Sequence, residues 1–311
     1  SLLAFATTLA DVVRGNANPS FSSLFLDYSD LLTAPFQADG YEAMLRFLFT
    51  QPGATNDFRK LHRRLYIGAT DQDAREHVLF GEPGLDNVPV SKAIQASLSI
   101  NPAFASTKIG ERYYVDGAVT RTSNFTEAIR KGADLIIVLD PLAPYVSKGV
   151  AGFASRRGLL YNADQDIRTA SYTRFETARH WVLRQRPDVS MYTFLPANRL
   201  RKVLSVNPMD HRPYFAIWRG AYLSTLQRIH LLRHRMCGDL ATHGLVLDTS
   251  RAEAVAARLE AATTVRFADF FADGKVDVVP GMKPSKALRL AARNPDEEVV
   301  CRYGEQKTAV A

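Results

Sequence analysis

The sequence predicts a layered α/β fold: a central, mostly parallel sheet flanked by helices, followed by a helical C-terminal region. Segments with helical spacing alternate with short apolar strands, which is typical of such folds. Residues 133–140 form a continuous apolar strand of the kind that is buried on both faces of a parallel sheet. In the second half, residues 151–184 and 214–236 have helical composition with basic faces, and a strand at residues 189–195 separates them.

The elements of the first half each have a local signal. Residues 1–13 are apolar nearly all round, which is typical of a buried helix, and residues 40–50 carry helical spacing. The hydrophobic period changes from helical to strand-like at residues 64–70 and 77–80. We expect these to be adjacent strands joined by a polar turn, and the first of them to be substantially buried. Residues 90–100 predict a helix whose small side chains allow close packing.

Two glycines mark the next boundaries. Gly110 allows a hairpin turn that leads into a strand at residues 112–116. Residues 125–131 predict a short helix that is closed by Gly132.

The composition is that of a folded chain with a sizeable core. Of the 311 residues, 46% are hydrophobic and 23% are charged, which is typical of globular proteins. We expect a domain at residues 1–246 and a C-terminal helical extension or tail at residues 247–311. No apolar run in the sequence approaches the roughly 18 residues of a membrane span. We therefore expect a cytoplasmic or peripheral membrane protein.

Positive charge is clustered rather than evenly spread. The formal net charge is +7, and basic residues gather at residues 156–157, 199–202 and 228–235. Such faces attract anionic lipid head groups, nucleic acid or acidic substrates, and they also occur as ordinary solvated helix faces. The sequence has no zinc-ligand spacing and no RNA-binding signature, so no nucleic-acid partner is expected. Peripheral membrane contact through the basic helices and a plain helical cap both stay open.

No metal is predicted from the cysteines and histidines. Cys237 and Cys301 lie far apart in the sequence, and neither has metal-ligand spacing. His230 and His234 have the i, i+4 spacing of helical zinc ligands, but no glutamate lies between them and no third ligand is near. Basic helix surface is the preferred interpretation of this pair.

The candidate catalytic residue is Asp116. It ends an aromatic and β-branched stretch, residues 112–116, and Gly117 and Ala118 follow it. The glycine lets the backbone turn away without a side chain in its path. On its own an Asp-Gly pair is also a common turn, so the stretch indicates either a turn or a carboxylate held for chemistry.

The order of the motifs resembles the catalytic domain of patatin-like phospholipases. The match is clear from about residue 64 to 140, and it is weaker but compatible at residues 189–196 and 209–222. The motifs that carry it are Ala69-Thr70-Asp71, Val78-Leu79-Phe80, the segment Ala96-Ser97-Leu98-Ser99-Ile100-Asn101-Pro102-Ala103-Phe104, Tyr114-Val115-Asp116-Gly117-Ala118, Asn124 and Gly132-Ala133-Asp134.

The resemblance implies a lipid acyl hydrolase of the phospholipase, lysophospholipase or esterase type. Such enzymes use a Ser–Asp dyad without a histidine, a metal or an organic cofactor, and their substrate is a lipid or another acyl ester. In this chain Asp116, within the motif Asp116-Gly117-Ala118, takes the aspartate role. It would accept the proton of the serine hydroxyl and pass it to the leaving alcohol.

The chain departs from the family pattern at the nucleophile. It contains no Gly-x-Ser-x-Gly motif and no glycine-rich loop near its start that could form an oxyanion hole. Residues 1–5 resemble the first turns of the small-residue-rich helix that follows this motif. We therefore expect the nucleophilic serine to lie upstream of Ser1. The 311 residues would then be the C-terminal portion of a patatin-like domain and would be inactive alone. A natural chain that never had the nucleophile is the alternative.

Other functional classes stay open. A non-catalytic module with the patatin fold would bind lipid or a protein partner, and it needs no nucleophile. Ser1 as an N-terminal nucleophile, with its own α-amine as the base, is disfavoured because it opens an apolar helix rather than a strand. The head group, the acyl length and the oligomeric state are not predicted.

Overall fold

The computed structural model describes residues 13–14, 34, 36–101, 103–121, 123–147, 152–205 and 214–271. The chain divides into two compact units. The first comprises Ser1–Thr50 and Thr55–Thr120, and the second comprises Gln51–Ala54 and Arg121–Ala311. The predicted helix at residues 1–13 lies outside the described residues except for Val13, and so does the end of the tail. The predicted boundary at residue 246 stays a prediction.

The first unit is a small antiparallel sheet with two helices. Its sheet has the strand order β2-β1-β4-β3, and every pairing is antiparallel. Short 3-10 turns lie at Phe58–Lys60 and Gly117–Val119. The helices and strands are α1 (Asp39–Phe49), β1 (Ile67–Asp71), β2 (His77–Phe80), α2 (Val90–Ser97), β3 (Thr107–Ile109) and β4 (Arg112–Asp116).

Helix α2 covers the sheet with its smallest side chains. Ala93 and Ala96 are fully buried, and their size allows the helix backbone to approach the strands closely. In the core below them, the rings of Phe80 and Tyr114 meet edge to face, with 5.2 Å between their centroids. The buried core of this unit consists of Phe58, Ala69, Phe80, Val90, Ala93, Ala96 and Tyr114.

The direction of this sheet corrects one prediction. The two adjacent strands predicted around residues 64–80 are present, and Ile67 of β1 lies opposite Phe80 of β2. The turn at Gly110, whose φ is +60°, joins β3 to β4 as predicted. Both connections are too short for the crossover that parallel strands need, so the strands run antiparallel. The predicted central, mostly parallel sheet is not found among the described residues, where parallel pairing is limited to one pair of strands.

That parallel pair lies in the second unit. Strands β5 and β6 pair in parallel, with Leu135 opposite Ser190, and a 27-residue helix lies between them in the sequence. A 3-10 turn at Phe267–Phe270 follows the last helix. The elements are α3 (Phe125–Arg130), β5 (Leu135–Leu139), α4 (Leu159–Gln185), β6 (Ser190–Phe194), α5 (Asn198–Leu204), α6 (Tyr214–Thr242) and α7 (Ser250–Ala261). The mixed α/β class is confirmed.

Strand β5 is buried along one face, and on the other face only its first residue, Leu135, packs against a core. Ile136 and Val138 lie in a core with Phe125 of α3 and Phe175 of α4. On the other face, Ile137 is 54% exposed and Leu139 is 72% exposed. The prediction that both faces are buried is therefore wrong within the described part of the chain. None of the helices described is both long enough and apolar enough to cross a bilayer.

Candidate active site

Asp116 ends β4, an inner strand of the sheet, and its backbone is held from both sides. Its N–H donates to the carbonyl oxygen of Ser99 over 3.0 Å, and its carbonyl oxygen accepts a hydrogen bond from Thr70 Oγ1 over 3.1 Å. In the register of the sheet, Asp116 lies opposite Ala69 of β1. The residue is therefore fixed by the sheet and by the segment that follows α2.

The carboxylate of Asp116 has one anchored oxygen. Oδ1 accepts the backbone N–H of Ala118 over 2.6 Å, which caps the 3-10 turn Gly117–Val119. No donor among the described residues is hydrogen-bonded to Oδ2. Burial raises the pKa of Asp116 above its usual value, and the Ala118 N–H only partly opposes this. The group is thus a more basic carboxylate than usual, with one oxygen available to accept a proton.

Gly117 is required by the close approach of two backbone segments. A Cβ atom added at this position would lie 2.6 Å from the carbonyl oxygen of Gly68 and 2.8 Å from its carbonyl carbon. Real Cβ atoms do not approach backbone so closely, because the van der Waals radii overlap. Each residue of the motif therefore has a separate role. Asp116 supplies the carboxylate, Gly117 permits the close backbone contact, and Ala118 donates the anchoring N–H.

A short chain of polar side chains lies behind Asp116. Thr70 Oγ1 lies 2.8 Å from Thr120 Oγ1, and His77 Nδ1 lies 3.2 Å from the same Thr120 oxygen. The chain reaches Asp116 at its backbone carbonyl rather than at its carboxylate. These side chains therefore hold the backbone of the site, and they do not form a histidine–aspartate pair.

Asp71, another acidic residue of these motifs, has a different role. It is buried and accepts the N–H groups of Ala74 and Asp73 over 3.0 and 3.1 Å, while Arg112 Nη1 donates to its Oδ2 over 2.7 Å. The Ala74 N–H, and after it Arg112, hold the pKa of Asp71 below its usual value. Asp71 therefore stays charged and closes the turn between β1 and β2, whereas its neighbour Thr70 contacts Asp116.

One of the quoted motif residues is exposed, and others lie outside the described part of the chain. Helix α2 ends at Ser97, before the predicted stop, and Asn101 is exposed in the turn that follows. Pro102 and the segment at residues 206–213 are outside the described residues. Sequence reasoning missed Thr120 and Ser99. Thr120 had one available signal, because it closes the 3-10 turn directly after the Asp-Gly-Ala motif, with its N–H donating to Gly117.

Some basic residues of the second unit contact their own neighbours. His230 Nε2 lies 3.0 Å from Glu253 Oε1, and the Arg157 guanidinium lies over the ring of Phe153 at 4.7 Å. Within the ranges that the structure describes, no three histidine, cysteine, aspartate or glutamate residues are grouped to hold a metal ion. For His230, the interpretation as helix surface is the one that fits these contacts.

Comparison with known proteins supports the motif order. No curated protein matched the chain. A family model described as Patatin-like phospholipase matches residues 5–129, a span that contains β1 to β4 and Asp116. This match confirms the resemblance predicted from the motifs: residues 5–129 of this chain are similar to patatin-like phospholipases.

Proposed function

We propose that this chain, together with sequence upstream of Ser1, is a lipid acyl hydrolase in which Asp116 is the proton acceptor for a nucleophilic serine. The observation that carries the proposal is the Asp116 carboxylate. It lies in the family-matched region, one of its oxygens is anchored by the Ala118 N–H at 2.6 Å, and burial raises its pKa. The family suggests acyl lipid hydrolysis, and the Ser–Asp chemistry is our proposal.

The proposed reaction has two stages. The serine oxygen attacks the ester carbonyl carbon while Asp116 Oδ2 accepts the hydroxyl proton. The tetrahedral intermediate then collapses, the bond to the alcohol breaks, and the alcohol takes the proton from Asp116 as it leaves. In the second stage water attacks the acyl-enzyme, Asp116 accepts a proton from the water, and the fatty acid leaves as the proton returns to the serine.

The upward shift of the Asp116 pKa suits the role of a general base. An ordinary aspartate is too weak a base to take a hydroxyl proton efficiently, and a general base works best when its pKa is near the working pH. Burial moves the pKa of Asp116 upward, toward that range. The hydrogen bond to Oδ1 restricts the orientation of the carboxylate, so less rearrangement is needed before Oδ2 accepts the proton.

The test is ester hydrolysis by the protein with its native upstream sequence restored. We expect hydrolysis of a phospholipid and of a soluble ester by that protein, and none by the 311 residues alone. Asp116→Ala in the restored protein is expected to lower the rate by about 10²–10⁴-fold, the usual contribution of a general base. An Asp116→Ala protein as active as its parent would contradict the proposal.

Asp57→Ala is the matched control for this variant. Asp57 also caps a 3-10 turn in the first unit, Phe58–Lys60, by accepting the N–H of Arg59 over 3.0 Å. The two variants therefore lose the same kind of local hydrogen bond. Asp57→Ala is expected to keep the parent rate, which separates the loss of a cap from the loss of the base.

A non-catalytic module is the second candidate. It is favoured by the fact that the Asp116 hydrogen bond to Ala118 has a structural use of its own, and by the lack of a Gly-x-Ser-x-Gly motif in these residues. The coding sequence immediately upstream discriminates between the two candidates. An in-frame Gly-x-Ser-x-Gly favours the enzyme, and a start codon at that point favours the module.

Peripheral membrane contact through α6 is a further part of the proposal. Arg228, Arg233 and His234 are exposed on this helix, and a basic residue near an anionic membrane contributes about 1 kcal/mol. We expect the protein to sediment with vesicles of phosphatidylserine and phosphatidylcholine and less with phosphatidylcholine alone. Arg228→Glu with Arg233→Glu should remove the difference. Equal sedimentation of the parent with both vesicles would rule out this contact.

A further inference from the structure

The second unit contains a cavity of about 1020 Å³. It lies among α5, α6 and the segment at residues 263–266 that follows α7. Small-molecule sites have volumes of about 300–1,000 Å³, so the cavity is large enough for a substantial ligand. The large apolar side chains that line it are Leu200, Val203, Phe215, Ile217, Leu223 and Val265.

The charged side chains in the lining are all positive. Each of the three segments contributes one arginine, namely Arg199, Arg219 and Arg266, and the described lining residues include no acidic side chain. Asp269, the acidic residue that pairs with this segment, accepts the backbone N–H of Arg266 over 2.8 Å and is not in the lining. The cavity therefore favours an anion.

Arg219 is fixed in position by the end of α7. Its Nη2 donates to the carbonyl oxygen of Glu260 over 3.2 Å, and its Nη1 lies 3.4 Å from that of Ala262. A cation is favourable at these carbonyls because they lie at the C-terminal end of a helix. Since the guanidinium has five N–H donors, these two contacts leave donors for a ligand. Thr263 and Thr264 add two exposed hydroxyl groups to the same wall.

We propose that this cavity binds a single-chain fatty acid, with its acyl chain against the apolar wall and its carboxylate among the three arginines. Each buried methylene group stabilises binding by about 0.8 kcal/mol, which an inorganic anion cannot provide. An uncharged chain of equal length would leave the arginines without an anion. Binding here requires none of the residues assigned to hydrolysis, because Asp116 belongs to the first unit and does not line the cavity.

The test is calorimetric titration of the 311-residue protein with laurate and, separately, with 1-dodecanol below their aggregation limits. We expect laurate to bind with one site per chain and at least about tenfold more tightly than dodecanol, since only laurate brings the charge that the arginines attract. Failure of laurate to bind, or equal binding of the two ligands, would overturn the proposal.

Two variants locate the site. Arg199 is exposed, so Arg199→Glu should leave the fold intact and weaken laurate binding by about tenfold as one attractive charge becomes repulsive. Val203→Trp, on the same helix, should change the affinity for laurate and dodecanol alike, because the indole ring would occupy part of the apolar wall. Arg184→Glu is the control, because Arg184 is exposed on α4 and does not line the cavity.

The control also tests the proposal. If Arg184→Glu weakens laurate binding as much as Arg199→Glu does, the ligand responds to overall charge and not to this cavity. Unchanged binding in Val203→Trp would likewise overturn the assignment. Asp116→Ala should bind laurate as the parent does, so this result and the result of the hydrolysis test are independent.

Discussion

Asp116→Asn is expected to abolish most of the ester hydrolysis of the protein with restored upstream sequence while making the fold more stable at neutral pH. Asparagine has the same shape, and its Oδ1 can still accept the Ala118 N–H that Asp116 accepts at 2.6 Å. Its amide cannot take a proton from a serine hydroxyl, so the rate should fall by about 10²–10⁴-fold. Initial rates with a soluble ester measure this loss.

The gain in stability follows from the direction of the pKa shift. Burial raises the pKa of Asp116 in the folded protein above its unfolded value of 3.8. Between those two pKa values the folded chain binds more protons than the unfolded chain, so the free energy of unfolding falls as the pH rises. Above the folded pKa the full cost of the buried charge is present. Asparagine carries no charge, and its advantage over aspartate should therefore grow with pH and then level off.

Asp57→Asn is the control, because the pKa of Asp57 is shifted in the opposite direction to that of Asp116. The side chain of Arg59, its hydrogen-bond partner, lowers the pKa of Asp57, so the charged form of this residue is favoured in the folded protein. Asp57→Asn should therefore not raise the stability at neutral pH, and it should keep the parent rate. Urea unfolding of both variants from pH 3 to pH 8 measures the two trends. An Asp116→Asn protein less stable than its parent at pH 7 would mean that the ionised carboxylate has a stabilising partner.

Local sequence signals were sufficient for most of the strands. The polar turn after Thr70, Gly110 with its φ of +60° and the aromatic stretch before Asp116 each act within a few residues, so they can be recognised without the fold. The sheet direction was missed because an apolar strand has the same period in either arrangement. The lengths of the two turns indicate antiparallel pairing, because both connections are too short for a crossover.

Strand β5 shows a second limit of local patterns. Its continuous apolar run suggested burial on both faces, yet Ile137 and Leu139 are more than half exposed. Burial depends on what packs against each face. Helices α3 and α4 cover one face along its length, whereas the core on the other face reaches only Leu135 of the strand. Composition alone does not contain that information.

The site itself was only partly predictable. Asp116 was predicted because the Asp-Gly pair indicates a tight turn of the backbone and because several motifs occur in a fixed order. Thr120 contacts Thr70 from fifty residues away, and such long-range hydrogen bonds have no spacing that the sequence displays. The arginines of the cavity, Arg199, Arg219 and Arg266, are likewise spread over three elements that only the fold brings together.

Gly117→Ala is expected to cost about 3 kcal/mol of stability, the upper end of the range for overpacking, because the obstacle is backbone. The added methyl group would lie 2.6 Å from the Gly68 carbonyl oxygen. A flexible side chain could rotate away from it, but Gly68 is held in β1 by its pairing with Leu79 of β2. Relief requires that β1 and the turn after β4 move apart. Chemical denaturation at pH 7 measures the cost.

Gly40→Ala is the matched control for this variant, because it is the same substitution at a glycine with open space. Gly40 lies in α1, and a Cβ atom there meets nothing within 4 Å. Alanine in a helix is favoured over glycine by about 0.5–1 kcal/mol, so Gly40→Ala should be neutral or slightly stabilising.

The separation of β1 from the turn would also shift the Asp116 carboxylate, and a misplacement of about 1 Å can cost about 10²-fold in rate. Gly117→Ala should therefore lose activity in the restored protein even at temperatures where it remains folded, whereas a folded Gly117→Ala protein with the parent rate would show that the position of Asp116 does not depend on this contact.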